Sequence, residues 1–449
     1  MEINCYDNML YYYDIIVSVK MRIRKIKFND DILLGNLELN FLKPNGKPYE
    51  NIVLVGENGV GKSTVLKLLG RIIGGPDRCY FYSFFEYEIN DAIYCFKKIH
   101  PENKNDVQFQ LYDKKDNICY MTGHLDDDYP SEARPNKQIV ITSFPNSDDE
   151  NSYDHEPKVI VEKLKKLQEE DCINFVFENI KHPESPISWA DFFEKSKMSS
   201  FAKAFNSFFE DMKYFGLGFN NQKEKVIGFS KFGKEFPIDS LSSGEKQIIE
   251  RAVPFLEQMD DTKDNLCLID EPEISLHPKW QSKVYYFYKN LFRDKTNKQR
   301  NQIIMASHSS AILKEALSNP NDTLVFRLIN ENGTIHAERI EHASFIDHIT
   351  YAEVNYLVFG IPTPEYHNQL YCEIQNRFNK HKVKACDDFI ASQPIYDVNL
   401  HEKVSGYGIT NYSTLSTYIR NAIDHYNNGN DFTEDELETS IKLMQEILR

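Results

Sequence analysis

Residues 51–55 read NIVLV and residues 56–64 read GENGVGKST. The first run is short, apolar and branched, as a strand buried in the middle of a sheet is. The second has the form G-x-x-x-x-G-K-S and leads into the helical periodicity of Val65–Ile73. Every fixed position is filled and the flanking strand is present, which sets aside a mere glycine-rich turn before a helix. Glycines let backbone N–H groups turn onto phosphates, and the helix N-terminus adds partial positive charge. Lys62 then reaches the outer phosphates and Ser63 holds Mg²⁺. The residues expected to bind a nucleoside triphosphate here are Gly56, Asn58, Gly59, Gly61, Lys62, Ser63 and Thr64.

Three further motifs lie downstream. Residues 265–272, NLCLIDEP, form an apolar strand that ends in two carboxylates. Asp270 is expected to fix Mg²⁺ beside the phosphate loop, and Glu271 to polarise the attacking water as a general base. An isolated Asp-Glu pair is usually solvated loop charge; a phosphate loop in the same chain favours the catalytic reading. Residues 241–247, LSSGEKQ, precede a helical pattern, so Ser243 and Gly244 lie at a helix N-terminus, a second place for an anion. Residues 303–306, IIMA, form another buried strand, followed by Ser307-His308-Ser309. That position would let the His308 imidazole meet a γ-phosphate.

Around these motifs the chain has 449 residues, enough for two or three domains. We expect an ATPase lobe over 1–145, a helical insert over 146–224, a second lobe over 225–340 and a helical region over 341–449. Residues 22–41 read as paired strands, and 79–142 as antiparallel strands broken by Asn, Asp, Lys and Gly. Residues 146–170 are highly charged, and 186–215 carry Phe and Trp at helical spacing. The heptads there are too brief for a long coiled-coil arm. Residues 329–340 read as a closing hairpin.

Hydrophobic residues make up 41% and charged residues 27%, far from the composition of disordered chains. The net charge of −16 argues against a general polyanion-coating protein and leaves any nucleic-acid contact local. The eight cysteines (5, 79, 95, 119, 172, 267, 372 and 386) include no C-x-x-C pair, so neither a metal knuckle nor a disulfide framework is expected. A reducing cytoplasm follows as the expected location. The first twenty residues have no basic leader pattern and no run reaches membrane-spanning length, so no membrane partner is expected.

The order GENGVGKST, LSSGEKQ, LCLIDEPEISLHP, MASHS resembles the ABC-type ATPases, in the soluble branch of chromosome-maintenance, recombination-repair and overcoming-lysogenisation-defect proteins. The resemblance covers about residues 22–340. It implies an α/β P-loop NTPase with an ABC-ATPase head of mixed sheet and helical insert, followed by a helical C-terminal region. It also implies ATP and Mg²⁺ as cofactors and a homodimer or higher homo-oligomer. In such a dimer Ser243 and Gly244 would contact the γ-phosphate bound by the other subunit, and Ser275–Pro278 would be the D-loop. One element departs: the family has a Mg²⁺-sensing glutamine after the first lobe, whereas this chain reads Ser143-Phe144-Pro145, with Gln138 earlier.

Residues 348–376 look similar in texture to the tails of stand-alone ATPases in antiphage systems of the Septu type, which work with a separate nuclease. Arg420-Asn421-x-x-x-His425 resembles the signature of HEPN ribonucleases, in which such a pair performs metal-free acid–base cleavage of RNA. Against this, a five-residue offset sets the two side chains about 140° apart on a helix. A structural helix end, with His425 at the C-terminal dipole, is the equal alternative. The expected function is therefore a dimerising ATPase that controls a nuclease, its own tail or a partner, in antiphage defence. The alternatives are a repair or recombination clamp on duplex DNA and a slow nucleotide-binding scaffold.

Overall fold

The computed structural model describes residues 19–74, 79–102, 109–113, 118–122, 140–143, 157–219, 223, 225–258, 263–264, 266–293, 298–340, 345–407, 410–425 and 431–449. Gln138, Phe144, Pro145 and most of the N-terminal segment lie outside them. The chain packs as two units, one up to Ile312 with Asn321–Glu338 and one of Leu313–Pro320 with Arg339–Arg449.

In order, the first unit contains β1 (Val19–Phe28), β2 (Glu38–Asn40), β3 (Asn51–Val55), α1 (Lys62–Gly74), β4 (Tyr82–Ile89), β5 (Ala92–Lys98), β6 (Phe109–Asp113), β7 (Ile118–Thr122) and β8 (Val140–Ser143). Helices α2 (Pro157–Lys181), α3 (Trp189–Phe193) and α4 (Lys197–Phe208) follow, then β9 (Met212–Phe219), β10 (Lys225–Lys231) and β11 (Lys234–Pro237). The chain continues through α5 (Ser243–Gln258), β12 (Lys263–Asp264), β13 (Leu266–Asp270), α6 (Pro278–Leu291), β14 (Gln302–Ala306), α7 (Ser310–Leu317), β15 (Thr323–Glu331) and β16 (Thr334–Ile340).

The central sheet has the order β16-β15-β3-β14-β13-β8, with β15, β3, β14, β13 and β8 parallel. All five residues of β3, β13 and β14 are buried, the pattern of strands covered on both faces. A second, largely antiparallel sheet runs β12-β1-β4-β5-β6-β7, with β2 on β1. Ile304 and Leu268 of the first sheet share one apolar core with Ile26, Phe85 and Phe96 of the second. A buried amide joins the sheets: Gln302 accepts from Ile23 N at 2.8 Å and donates to the Ile23 and Tyr49 carbonyls at 3.1 and 3.0 Å. Arg24 is likewise satisfied inside, by Glu86 and Glu88 at 2.9 and 2.8 Å.

Two elements of this unit differ from the sequence reading. Residues 140–143 do not end the antiparallel run; β8 pairs parallel with β13 in the central sheet. Residues 212–215, read as the end of a helical run over 186–215, instead open β9, which pairs in a three-stranded antiparallel sheet with β10 and β11. The helical spacing of phenylalanines is real through Phe208, where α4 stops and the ladder begins.

The second unit contains α8 (Tyr351–Phe359), α9 (Pro364–Arg377), α10 (Val383–Ala391), α11 (Val398–His401), β17 (Glu402–Tyr407), β18 (Thr410–Thr414), α12 (Leu415–Asp424) and α13 (Glu434–Leu448). It is helical with one hairpin, and Tyr366, Tyr371, Ile419, Ile441 and Met444 centre its core. Asp387, fully buried, ties hairpin to helices: its carboxylate accepts from the N–H groups of Ser413 and Thr414, both at 3.0 Å, and from Thr414 Oγ1 at 2.8 Å. Among the described residues no helix is long and apolar enough to cross a membrane.

Gly56 marks where the central sheet permits no side chain. Its φ is +153°, and a Cβ there would stand 2.4 Å from the backbone oxygen of Leu328 on β15. Gly56→Ala is therefore expected to destabilise this unit by about 3 kcal/mol through overpacking, read as a lower urea midpoint. An unchanged midpoint would show that Leu328 gives way instead.

Candidate nucleotide site

The site is built at the C-terminal end of the parallel strands. β3 delivers the loop at 56–61, and α1 starts at Lys62. Gly61, at φ +98°, is glycine for a steric reason: a Cβ would lie 2.6 Å from Leu34 Cδ2. Asn58 and Gly59 are exposed at the crest of the loop, and Ser63 and Thr64 are half-buried in the first helical turn. Lys62 Nζ donates to the carbonyls of Gly56 and Glu57, both at 2.9 Å, so the ammonium closes the loop on itself. Burial pulls the Lys62 pKa below its ordinary value, against the opposing pull of Glu271, Asp270 and Glu273.

Register does the rest. β13 and β14 pair Asp270 with Ala306, and β14 and β3 pair Ala306 with Leu54, so the strand tip at Asp270, the strand tip before His308 and the start of the 56–64 loop lie side by side. Asp270 is 5% exposed and accepts a hydrogen bond from the Ser63 hydroxyl. Burial pushes its carboxyl above the usual range despite that bond. Its Oδ1 is buried with no hydrogen-bond partner among the described residues. A buried carboxylate oxygen without a partner among the described residues, beside a serine hydroxyl and a glycine cradle closed by a lysine, fits a magnesium-bound triphosphate.

Glu271 leaves the strand in the left-handed region, at φ +45°, an uncommon conformation for a side-chain-bearing residue. Its backbone is held at both ends: the N–H donates to Ala306 O at 2.9 Å, and its carbonyl accepts from Arg251 Nη1 at 2.7 Å. The exposed His308 places Nδ1 3.6 Å from Glu271 Oε1 and 3.5 Å from Glu273 Oε1. Lys62, Ser63, Asp270, Glu271 and His308 thus form one cluster.

Glu273 is a member that the sequence reading did not single out. It is 4% exposed, and its Oε1 accepts from Ser307 Oγ at 2.8 Å and from His308 N at 2.9 Å. Ser309 Oγ in turn donates to Gln281 Oε1 of α6 at 2.8 Å. The second acid of the D-E-P-E run was the available signal, but its role depends on a contact across strands. At the end of β8, Ser143 pairs with Ile269, so a serine rather than a glutamine stands beside the acidic strand tip.

Ser243 and Gly244 lie outside this cluster, at the tip of α5. The Glu245 carboxylate takes the Ser242 N–H and O–H, both at 2.8 Å, and Lys231 Nζ at 3.1 Å. Burial raises the Glu245 pKa, but these bonds outweigh it and hold the group below the ordinary carboxylate range. Gly244 packs on α6: a Cβ would be 3.1 Å from Trp280 Cζ3. Ser243 is exposed.

In the second unit, Arg420 Nη2 pairs with Asp424 Oδ2 at 2.7 Å and its Nη1 donates to Asn421 Oδ1 at 3.0 Å. His425 is the C-cap of α12, its N–H on Asn421 O at 3.0 Å. The contacts of Arg420 run to its own helix rather than to His425. Among the described residues no group of three or more His, Cys, Asp or Glu could hold a metal ion.

Residues 52–314 match the family described as "AAA domain, putative AbiEii toxin, Type IV TA system". No curated protein matches the chain. Solved structures with similar folds include an SmcHead bound to the C-winged helix domain of ScpA, with 14% identity, TM-score 0.42, covering 71% of this chain and 98% of that one. A second is the Smc head domain with an extended coiled coil bound to the C-terminal domain of ScpA, derived from Pyrococcus furiosus (14%, 0.39, 71% and 96%). A third is the SMC head domain from Thermotoga maritima (12%, 0.39, 72% and 100%). The family match spans more than half of the chain and takes in residues 56–64, Asp270, Glu271 and His308; the chain belongs to this AAA-domain ATPase family.

Proposed function

We propose that the chain hydrolyses ATP between two copies of itself and uses that cycle to control a nuclease partner in antiphage defence. The observation that carries the reading is the gathering of Lys62, Ser63, Asp270, Glu271 and His308 at one sheet end. The backbone of 56–64 and Lys62 would hold the phosphates, and Ser63 with Asp270 the magnesium. Bound MgATP supplies the transferable phosphoryl group and the cation that neutralises its charge. Glu271, kept at the strand tip by Arg251 and Ala306, would take a proton from water at its carboxylate. His308, with Nδ1 3.6 Å from Glu271 Oε1, is close enough to steady the carboxylate when its ring is protonated.

The exposed Ser243 on a capped helix tip supports a role toward a second copy, whose triphosphate it would complete. The toxin named in the family description supports a defence setting. The Arg420–Asp424 pair supports the helix-end reading of the tail motif, and with it an effector on a separate chain.

Glu271→Gln is expected to slow ATP turnover about 100-fold or more and to accumulate a nucleotide-bound dimer, seen by light scattering. Continued turnover would remove Glu271 from its role. Glu273→Ala is expected to lower kcat about tenfold, the worth of one charge-assisted hydrogen bond, with KM little changed, and Glu273→Gln, which keeps an acceptor, to recover most of it. In infected cells, Lys62→Ala should abolish protection, whereas Arg420→Ala and His425→Ala should leave it intact. Loss of protection in either tail variant would return the nuclease to the tail.

A further inference from the structure

Helix α2 has two apolar faces, whereas a helix on a domain surface needs one. Its first face turns inward. Leu164, Leu167 and Gln168 are buried, Gln168 accepts from the Tyr214 hydroxyl at 2.7 Å, and Phe175 packs edge-on against Trp189 and Phe192 of α3. Asn179 continues that face, bonding the N–H and carbonyl of Ile187. The second face, half a turn away, is in solvent: Ile173, Val176, Phe177 and Ile180 are 53%, 52%, 55% and 65% exposed. Their spacing of three, one and three residues makes one stripe. Four large exposed apolar side chains in a row on one helix mark a contact surface.

The charges around the stripe say what it meets. On its N-terminal side stand Glu169 and Glu170, and on its C-terminal side stands Lys181. Glu170 and Lys181 are exposed, and Glu170 approaches Lys166 at 3.9 Å. Turned end for end, the charges that flank the stripe are complementary to each other. An antiparallel second copy in register about residue 175 puts Ile173 against Phe177, and Lys181 against Glu169 and Glu170, twice by symmetry. A parallel pair would set like charges together.

We infer that this stripe is a self-association surface on which α2 of a second copy packs antiparallel, separate from the tip of α5 at Ser243 and independent of nucleotide. Four side chains per copy make a small contact, so the association is weak alone and gains from any other contact between the same two chains.

The test is sedimentation of the full chain without nucleotide over a range of concentrations. The wild type should associate as concentration rises, and Phe177→Glu should weaken this at least about tenfold, as loss of a central aromatic anchor does. Lys181→Glu should weaken it too, and Lys181→Glu combined with Glu169→Lys and Glu170→Lys should restore it, because the charges only change sides. The far-UV circular dichroism and thermal midpoint of each variant report that the unit is folded. A wild type that stays monomeric, an unaltered association in Phe177→Glu, or a triple swap that fails to restore would each overturn the inference. None of these readouts uses nucleotide-driven pairing, so failure of the proposed ATP-sandwiched dimer would be seen separately.

Discussion

Unslipped parallel pairing of β3, β14 and β13 is the constraint on which the rest depends. A strand of fully buried residues has no polar face to fix its register, so the fit of side chains on both sides must do so. Here Asp270 pairs with Ala306 and Ala306 with Leu54. A slip of one residue on β13 would turn Asp270 into the core and carry Glu271 away from the Ala306 carbonyl. The chemistry of the site is thus set by packing well below it, in residues such as Leu268 and Ile304.

The site carries its charge by compensation. Burial alone pulls Lys62 down and pushes Asp270 up, and each group sits in the other's field. The lysine is also tied to two loop carbonyls, and one oxygen of Asp270 to Ser63. Such a cluster is folded but electrostatically incomplete, which is what a binding site for an anion and a cation together requires.

Features that a short segment carries whole were legible in the sequence. The phosphate loop announces itself because glycine spacing, lysine and serine all lie within nine residues, and the acidic strand because apolar residues run straight into two acids. Glu273 was not legible, since its part comes from Ser307 and His308, thirty-odd residues later on another strand. The parallel placement of β8 is a choice of partner that no local pattern records. β9 was hidden by the phenylalanine-rich helix before it, whose apolar period gave no stop signal. The β17–β18 hairpin escaped because its residues are mostly polar; it is fastened by the buried Asp387 rather than by an apolar face.

Gln302 has a mechanical consequence. Its side chain closes a two-way amide pair with Ile23 and adds a third bond to Tyr49, all inside the core. To shear the N-terminal sheet against β14 would break both Ile23 bonds at once, inside a core that offers no replacement. The amide, with the apolar core that both sheets share, therefore opposes sliding of one sheet across the other.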